Sequence, residues 1–184
     1  DGTINNPLAH VLADQLYLST RRQGKMSYPS EVTAELYKGH DIASEDTSSL
    51  KIVTSENVEI IFNATLCPNR QVNPFTIIEC EDAEIEYQNF SNAEIRFKDG
   101  TTENITNQTE LRIHMLQVLA EAYRNNKDYA ASLDVCRPFT VTVNAAFESS
   151  GEIKQIDEKF IKRFEMGESI KTVIDDIDDY LMQA

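Results

Sequence analysis

The sequence predicts an α+β fold: an open, mostly antiparallel β-sheet with helices packed on one face. Three observations predict it. Near the N-terminus, Leu8, Val11, Leu12 and Leu16 recur at helical spacing. From Val32 to Phe97 the period changes to two, in short runs separated by turns, with no helical pattern between them. From Leu111 onward the helical period returns.

Pro7 to Leu18 is predicted as the first helix, with Pro7 in its first turn and Asn5 or Asn6 as its cap. A connection containing Gly24 and Pro29 follows. Val32, Ala34 and Leu36 alternate with Thr33, Glu35 and Tyr37, which reads as a strand. Leu50 to Thr54, Val58 to Cys67, Phe75 to Cys80, Ala83 to Tyr87 and Ala93 to Phe97 continue the series. Asp99-Gly100 then marks a tight hairpin turn. The run from Val58 carries Ile60, Phe62 and Ala64 on one face and Ile61, Thr65 and Cys67 on the other. That half-apolar second face predicts a partner. Leu111, Met115, Val118, Leu119 and Ala122 mark a helix, with Asn107 or Thr109 as cap. Arg137 to Ser149 is read as a helix with Pro138 in its first turn. Ile153 to Ile156 reads as a short strand, and Phe160, Ile161 and Phe164 as a short helix ended by Gly167. Ile170, Val173, Ile174, Ile177 and Leu181 make a last amphipathic stripe. There is no repeat, low-complexity tract or linker, so residues 1–184 are expected to form a single domain.

The chain has 184 residues, 41% of them hydrophobic. A domain of this size buries roughly 70% of its unfolded surface and needs no staple. The formal charge is -14, from 31 acidic and 17 basic residues. Phosphate backbones repel such a surface, so no nucleic-acid partner is expected. No apolar run has the length of a membrane span, and no membrane partner is expected. The start lacks a basic and then apolar leader, and Asp1 is read as a processing boundary. Cys67, Cys80 and Cys136 are odd in number and irregular in spacing, which predicts free thiols and a cytoplasmic setting.

Cofactor motifs are absent from the sequence. Its six glycines are scattered, with no GxGxxG, no P-loop and no G-x-S-x-G, so no cofactor-binding residue is expected in this chain. His10, His40 and His114 show no metal-ligand spacing, and no metal ligand is expected either. His40-Asp41, with Glu45 and Asp46, is a dense His/carboxylate cluster whose ordinary reading is a loop network. His114 sits between apolar helix positions and reads as structural. His10 differs: at about 100° per residue it lies about 200° from Leu8, off the apolar stripe and on a face with Asn6 and Asp14. Imidazole is the side chain best matched to proton transfer near neutrality.

Two stretches carry a family resemblance. GTINNPLAHVLADQLYL, Gly2 to Leu18, and RPFTVTVNAAFESSG, Arg137 to Gly151, resemble the substrate domain of the glucose–fructose oxidoreductase and inositol dehydrogenase family. Ala34 to Thr54, with its Asp46-Thr47, is similar to the family's first long strand and the loop after it. The resemblance implies several things. The chain is the C-terminal domain of a two-domain enzyme that oxidises a secondary alcohol of a sugar or polyol. NAD or NADP sits in an N-terminal Rossmann domain, the partner this chain lacks. The sheet's free face makes homo-oligomer contacts. His10 takes the place of the family's catalytic His, and Asn6, Asp14 and His40 are the substrate-binding candidates. Where the family has D-x-x-x-H, this chain has Asn6, an amide that orients a hydroxyl but takes up no proton. The alternative reading is a standalone, non-catalytic binding or oligomerisation module.

Overall fold

A computed structural model describes residues 2–88, 91–107, 109–127, 131–167 and 169–183. Asp1 lies outside the described residues. The chain forms two compact units, residues 1–71 with 133–184 and residues 72–132.

The first unit is built on a four-stranded sheet. Its strands are β1 (Pro29–Lys38), β2 (Thr47–Thr54), β3 (Glu59–Thr65) and β8 (Ile153–Gln155), in the order β3-β2-β1-β8. β1–β2 and β2–β3 pair antiparallel, while β8 joins β1 in parallel, Leu36 opposite Ile153. One face of this sheet is the core. Ala34, Leu36, Leu50, Ile52, Ile60, Phe62 and Ala64 meet Val11, Leu12 and Leu16 of α1 (Ala9–Leu18) and Val143 and Ala146 of α3 (Leu133–Ser150). Alternation in the strands and a 3.6 period in the helices are what place these side chains on one interface. The predicted class, antiparallel pairing and one-sided helices are what the fold displays.

The upper edge of β1 is closed in two ways. Near its middle, the hydroxyls of Ser149 and Ser150, at the end of α3, accept from Ala34 N (3.1 Å) and Leu36 N (3.2 Å). Beyond that, β8 takes over the pairing. Backbone donors buried at an edge need such partners.

The sheet's other face is more polar than expected. Ile61 is 43% exposed, and the Thr47 and Thr65 hydroxyls bond across it at 2.8 Å. Asn63, half-buried on this face, has a shielded Oδ1 that lacks a hydrogen-bond partner among the described residues. Cys67 does not lie on this face, because β3 ends at Thr65 and the chain turns the thiol inward.

Four local readings are corrected. Asn5 and Asn6 do not cap α1: its N-cap is Leu8, without a side-chain bond, and Asn6-Pro7 is a cis peptide in the preceding turn. α3 begins at Leu133, so Pro138 is interior to it and not in its first turn. A proline there removes one helical hydrogen bond, and the Thr142 hydroxyl donates to the Pro138 carbonyl at 2.9 Å. The expected helix at Phe160 to Phe164 is instead a 3-10 turn, Glu158–Phe160, leading into β9 (Ile161–Met166). The last stripe divides into β10 (Ser169–Ile174), antiparallel to β9, and a short α4 (Ile177–Gln183). Gly167 at φ +66 turns a hairpin here and does not end a helix. Ile170, Thr172, Val173 and Ile174 bring β-branched residues into β10, which favours a strand.

The second unit is an antiparallel meander, β4 (Phe75–Glu79), β5 (Ala83–Gln88), β6 (Asn92–Phe97) and β7 (Thr102–Thr106), followed by α2 (Leu111–Asn125). Asp99-Gly100 makes the predicted hairpin turn, with Gly100 at φ +88 and Asp99 Oδ1 accepting from Thr101 N at 2.8 Å. Arg96 of β6 forks to Glu84 and Glu86 on β5 and to Glu94 on its own strand. α2 is capped by Glu110, whose carboxylate accepts from Ile113 N at 2.7 Å; Asn107 only closes a local turn with Thr109 N. The strands expected in one sheet are therefore shared between this sheet and the main sheet.

Candidate functional site

The site is organised by two adjacent carboxylates, Glu45 and Asp46, just before β2. Both are fully buried. A buried carboxylate is tolerated only when hydrogen bonds replace its water, and each has a set of donors. Glu45 Oε1 accepts from Ile4 N at 3.1 Å and from the Thr3 hydroxyl at 3.3 Å, and Oε2 accepts from the Ser44 hydroxyl at 2.6 Å. Its carboxylate sits against Gly2, where a Cβ would come within 2.0 Å of Cδ and both oxygens. Gly2 is therefore glycine because the carboxylate occupies the place of a side chain. Through these bonds Glu45 holds the N-terminal turn from which α1 leaves.

Asp46 holds the other side. Its oxygens accept from Gly39 N at 3.0 and 2.9 Å, from His40 N at 2.8 Å and from the Thr47 hydroxyl at 3.2 Å. His40 Nδ1 lies 2.8 Å from Asp46 Oδ2, and the Cys67 sulfur lies 3.3 Å from the same nitrogen. The His40 ring is one-third exposed, while Cys67 is fully buried. Burial pushes the Cys67 thiol far up, and the neighbouring Asp46 carboxylate, by its charge and as hydrogen-bond acceptor, pushes it further. Cys67 is thus a thiol at neutral pH and not a nucleophile.

The four expected site residues fall in two places. His10 is exposed and Asp14 half-buried, one turn apart on α1. Asn6 is exposed in the turn before the helix, so helical spacing does not set its relation to His10. His40 belongs to the Asp46–Cys67 cluster. Sequence reading grouped His40 with Glu45 and Asp46 but missed Cys67, which lies in the segment after β3 and has no spacing signature. It also missed that Glu45 reaches Gly2. A separate cleft of about 480 Å³ is lined by Asn69, Arg70, Lys162, Phe164 and Asp175 among others, and by none of the four. Its charges are largely paired, Arg70 with Asp178 and Asp179 and Lys162 with Asp175.

A dinucleotide needs glycines whose backbone approaches a pyrophosphate at a helix start. The described residues do not fit it. The described glycines at positive φ, Gly24, Gly100, Gly151 and Gly167, are isolated turn positions. The tight approach at Gly2 is filled by a carboxylate, the wrong charge for a phosphate.

Comparison with known proteins gives a consistent fold. No family model matches the chain. No curated protein sequence matches it. Among solved structures it is similar to UDP-N-acetylglucosamine 3-dehydrogenase GnnA from Acidithiobacillus ferrooxidans, with a TM-score of 0.63 and 11% identity over 78% of this chain and 46% of that one. It is also similar to an oxidoreductase domain protein from Kribbella flavida, with a TM-score of 0.64 and 12% identity over 82% of this chain and 50% of that one. A third is the WlbA dehydrogenase from Bordetella pertussis, solved with NADH and UDP-GlcNAcA, with a TM-score of 0.51 and 12% identity over 82% and 43%. The chain spans about half the length of the solved structures it matches. These neighbours are named as dehydrogenases or oxidoreductases, and at these identities the likeness is one of fold. No helix among the described residues is long and apolar enough to cross a membrane.

Proposed function

We propose that this chain is the substrate-binding, C-terminal domain of an NAD(P)-dependent oxidoreductase acting on a secondary alcohol of a sugar, polyol or related compound. One observation carries the reading: the fold matches about half of each of several proteins named as dehydrogenases or oxidoreductases. NAD or NADP then belongs to an N-terminal Rossmann domain, and this chain supplies recognition and proton handling. His10, exposed on α1, accepts the proton of the substrate hydroxyl at an imidazole nitrogen. Asp14 and Asn6 orient that hydroxyl and its neighbours, and His40 contacts the substrate from the loop after β1. The further partners are copies of the same chain, docked on the second face of the main sheet. Exposed Ile61 on that face supports this, since an apolar side chain left in water gains from burial against a neighbour. The setting is cytoplasmic.

A specific observation favours the alternative of a binding module without catalysis: Asn6 stands where the family has an acid. One experiment separates the two readings. The intact polypeptide is purified and screened for reduced-nicotinamide formation with sugars and polyols, alongside its His10→Ala variant. The proposal expects turnover that falls about 10²- to 10⁴-fold in the variant. No turnover, or turnover indifferent to His10, favours the binding module. The 184-residue chain alone should show none; activity from it with added NAD or NADP would falsify the division of labour.

A further inference from the structure

Beyond the substrate contact proposed for His40, the cluster this residue forms with two buried neighbours has a chemistry of its own. His40, Asp46 and Cys67 offer one nitrogen, one oxygen and one sulfur atom, all within 4.8 Å of one another. We propose that His40 Nδ1, an Asp46 carboxylate oxygen and Cys67 Sγ form a three-ligand site for a zinc-class divalent cation. The inference is independent of the proposed enzyme activity.

Donor type selects the ion. A thiolate with an imidazole and a carboxylate suits zinc and its neighbours, and sulfur excludes magnesium and calcium. Geometry agrees. Tetrahedral zinc, at about 2.0 Å from N and O and about 2.3 Å from S, sets ligand atoms roughly 3.3–3.6 Å apart. Cys67 Sγ lies 3.3 Å from His40 Nδ1, and Asp46 Oδ2 lies 2.8 Å from it. The Asp46–His40 pair must open by about half an ångström, and the Asp46 and Cys67 ligand atoms lie within 4.8 Å of each other. Supporting bonds are in place. Gly39 N and His40 N already aim Asp46, while Cys67 N donates to the Thr65 hydroxyl at 3.0 Å and Cys67 O accepts from Ile174 N at 3.0 Å. Such outer bonds fix ligands in built metal sites. The exposed third of His40 gives the ion its entry path and leaves the fourth position to water.

Binding balances simply. The Cys67 S–H bond breaks, its proton goes to water and the sulfur lone pair goes to the metal. His40 carries its remaining proton on Nε2, freeing Nδ1. The ion then ties together the turn after β1, the start of β2 and the segment after β3. Sequence spacing hid the site because its ligands come from three segments, at 40, 46 and 67.

The test is a cobalt(II) titration of the full 184-residue chain. A thiolate-to-cobalt charge-transfer band should saturate at one equivalent and be displaced by zinc. Cys67→Ser should abolish the band and weaken zinc binding at least about tenfold, given that even outer-shell changes cost 10–100-fold. Cys80→Ser and Cys136→Ser should leave the band intact. Absence of the band in the unmodified chain, or its survival in Cys67→Ser, overturns the proposal. X-ray absorption at the zinc edge of the unmodified chain needs no variant. One sulfur at about 2.3 Å supports the site, and nitrogen and oxygen alone overturn it.

Discussion

Replacing Gly2 by alanine tests whether the Glu45 carboxylate really occupies the space of its missing side chain. A Cβ at Gly2 would lie 2.0 Å from Glu45 Cδ and both oxygens, so the carboxylate must leave. Leaving strips Ile4 N of its acceptor, and that buried N–H costs about 1–3 kcal/mol unpaired. Thr3 keeps the Ser48 hydroxyl as a partner at 2.5 Å, and half-buried Ser44 turns to water, so these add little. With the displaced charge, Gly2→Ala should cost about 2–4 kcal/mol, or roughly 4–16 °C in Tm for a chain of this size. Glu45→Ala should cost a similar amount, since it orphans the same N–H. The decisive measurement is the pair together. In Glu45→Ala the added methyl enters vacated space, and the second substitution should cost less than about 1 kcal/mol. A double-mutant cycle by thermal and urea unfolding, followed by far-UV circular dichroism, should therefore show a coupling of about 2 kcal/mol. Additivity within about 0.5 kcal/mol would refute the reasoning.

Other outcomes follow from the same structure. Leu12→Ala, fully buried between sheet and helices, should lose about 2–5 kcal/mol by urea unfolding, whereas His10→Ala should leave the core's melting cooperative. In the folded chain a thiol reagent at neutral pH should label exposed Cys80 and spare Cys67; mass spectrometry showing Cys67 labelled first would contradict its burial. Glu56 is held below its ordinary value of 4.5 by Arg21 N, the Thr20 hydroxyl and Arg22, so its stabilisation is present above that pH and lost as acid protonates it. Glu56→Gln should flatten the acid limb of a stability–pH curve. Arg96→Ala leaves Glu84, Glu86 and Glu94 facing one another, and the resulting drop in Tm should shrink as salt is added.

The parts of the fold that the sequence announced are those governed by local rules. α1, α2 and the Asp99-Gly100 hairpin follow from periodicity and turn chemistry alone, apart from their caps. The capping residues were misread because Asn5, Asn6 and Asn107 are suitable caps in isolation, while the chain direction before each helix decides which residue is used. β9 and β10 failed as helices because apolar spacing in short runs fits both periods, and pairing across Gly167 settles the matter. Pro138 misled in the same way: a proline marks a helix start by preference only, and α3 continues through it. At the site, His10 and the Glu45-Asp46 pair were visible as residue types. Cys67 was not, since its approach to His40 depends on where β3 ends.

The closure of the β1 edge sets a schedule for the growing chain. Lys38 is synthesised long before its partner Gln155, and Ala34 waits for Ser149. At about 5–20 residues per second, that edge and the apolar face above it stand open for roughly 6–23 s on the ribosome. Open edges recruit other strands. During those seconds the nascent domain is a half-built sheet that a chaperone, or a second nascent copy, meets first.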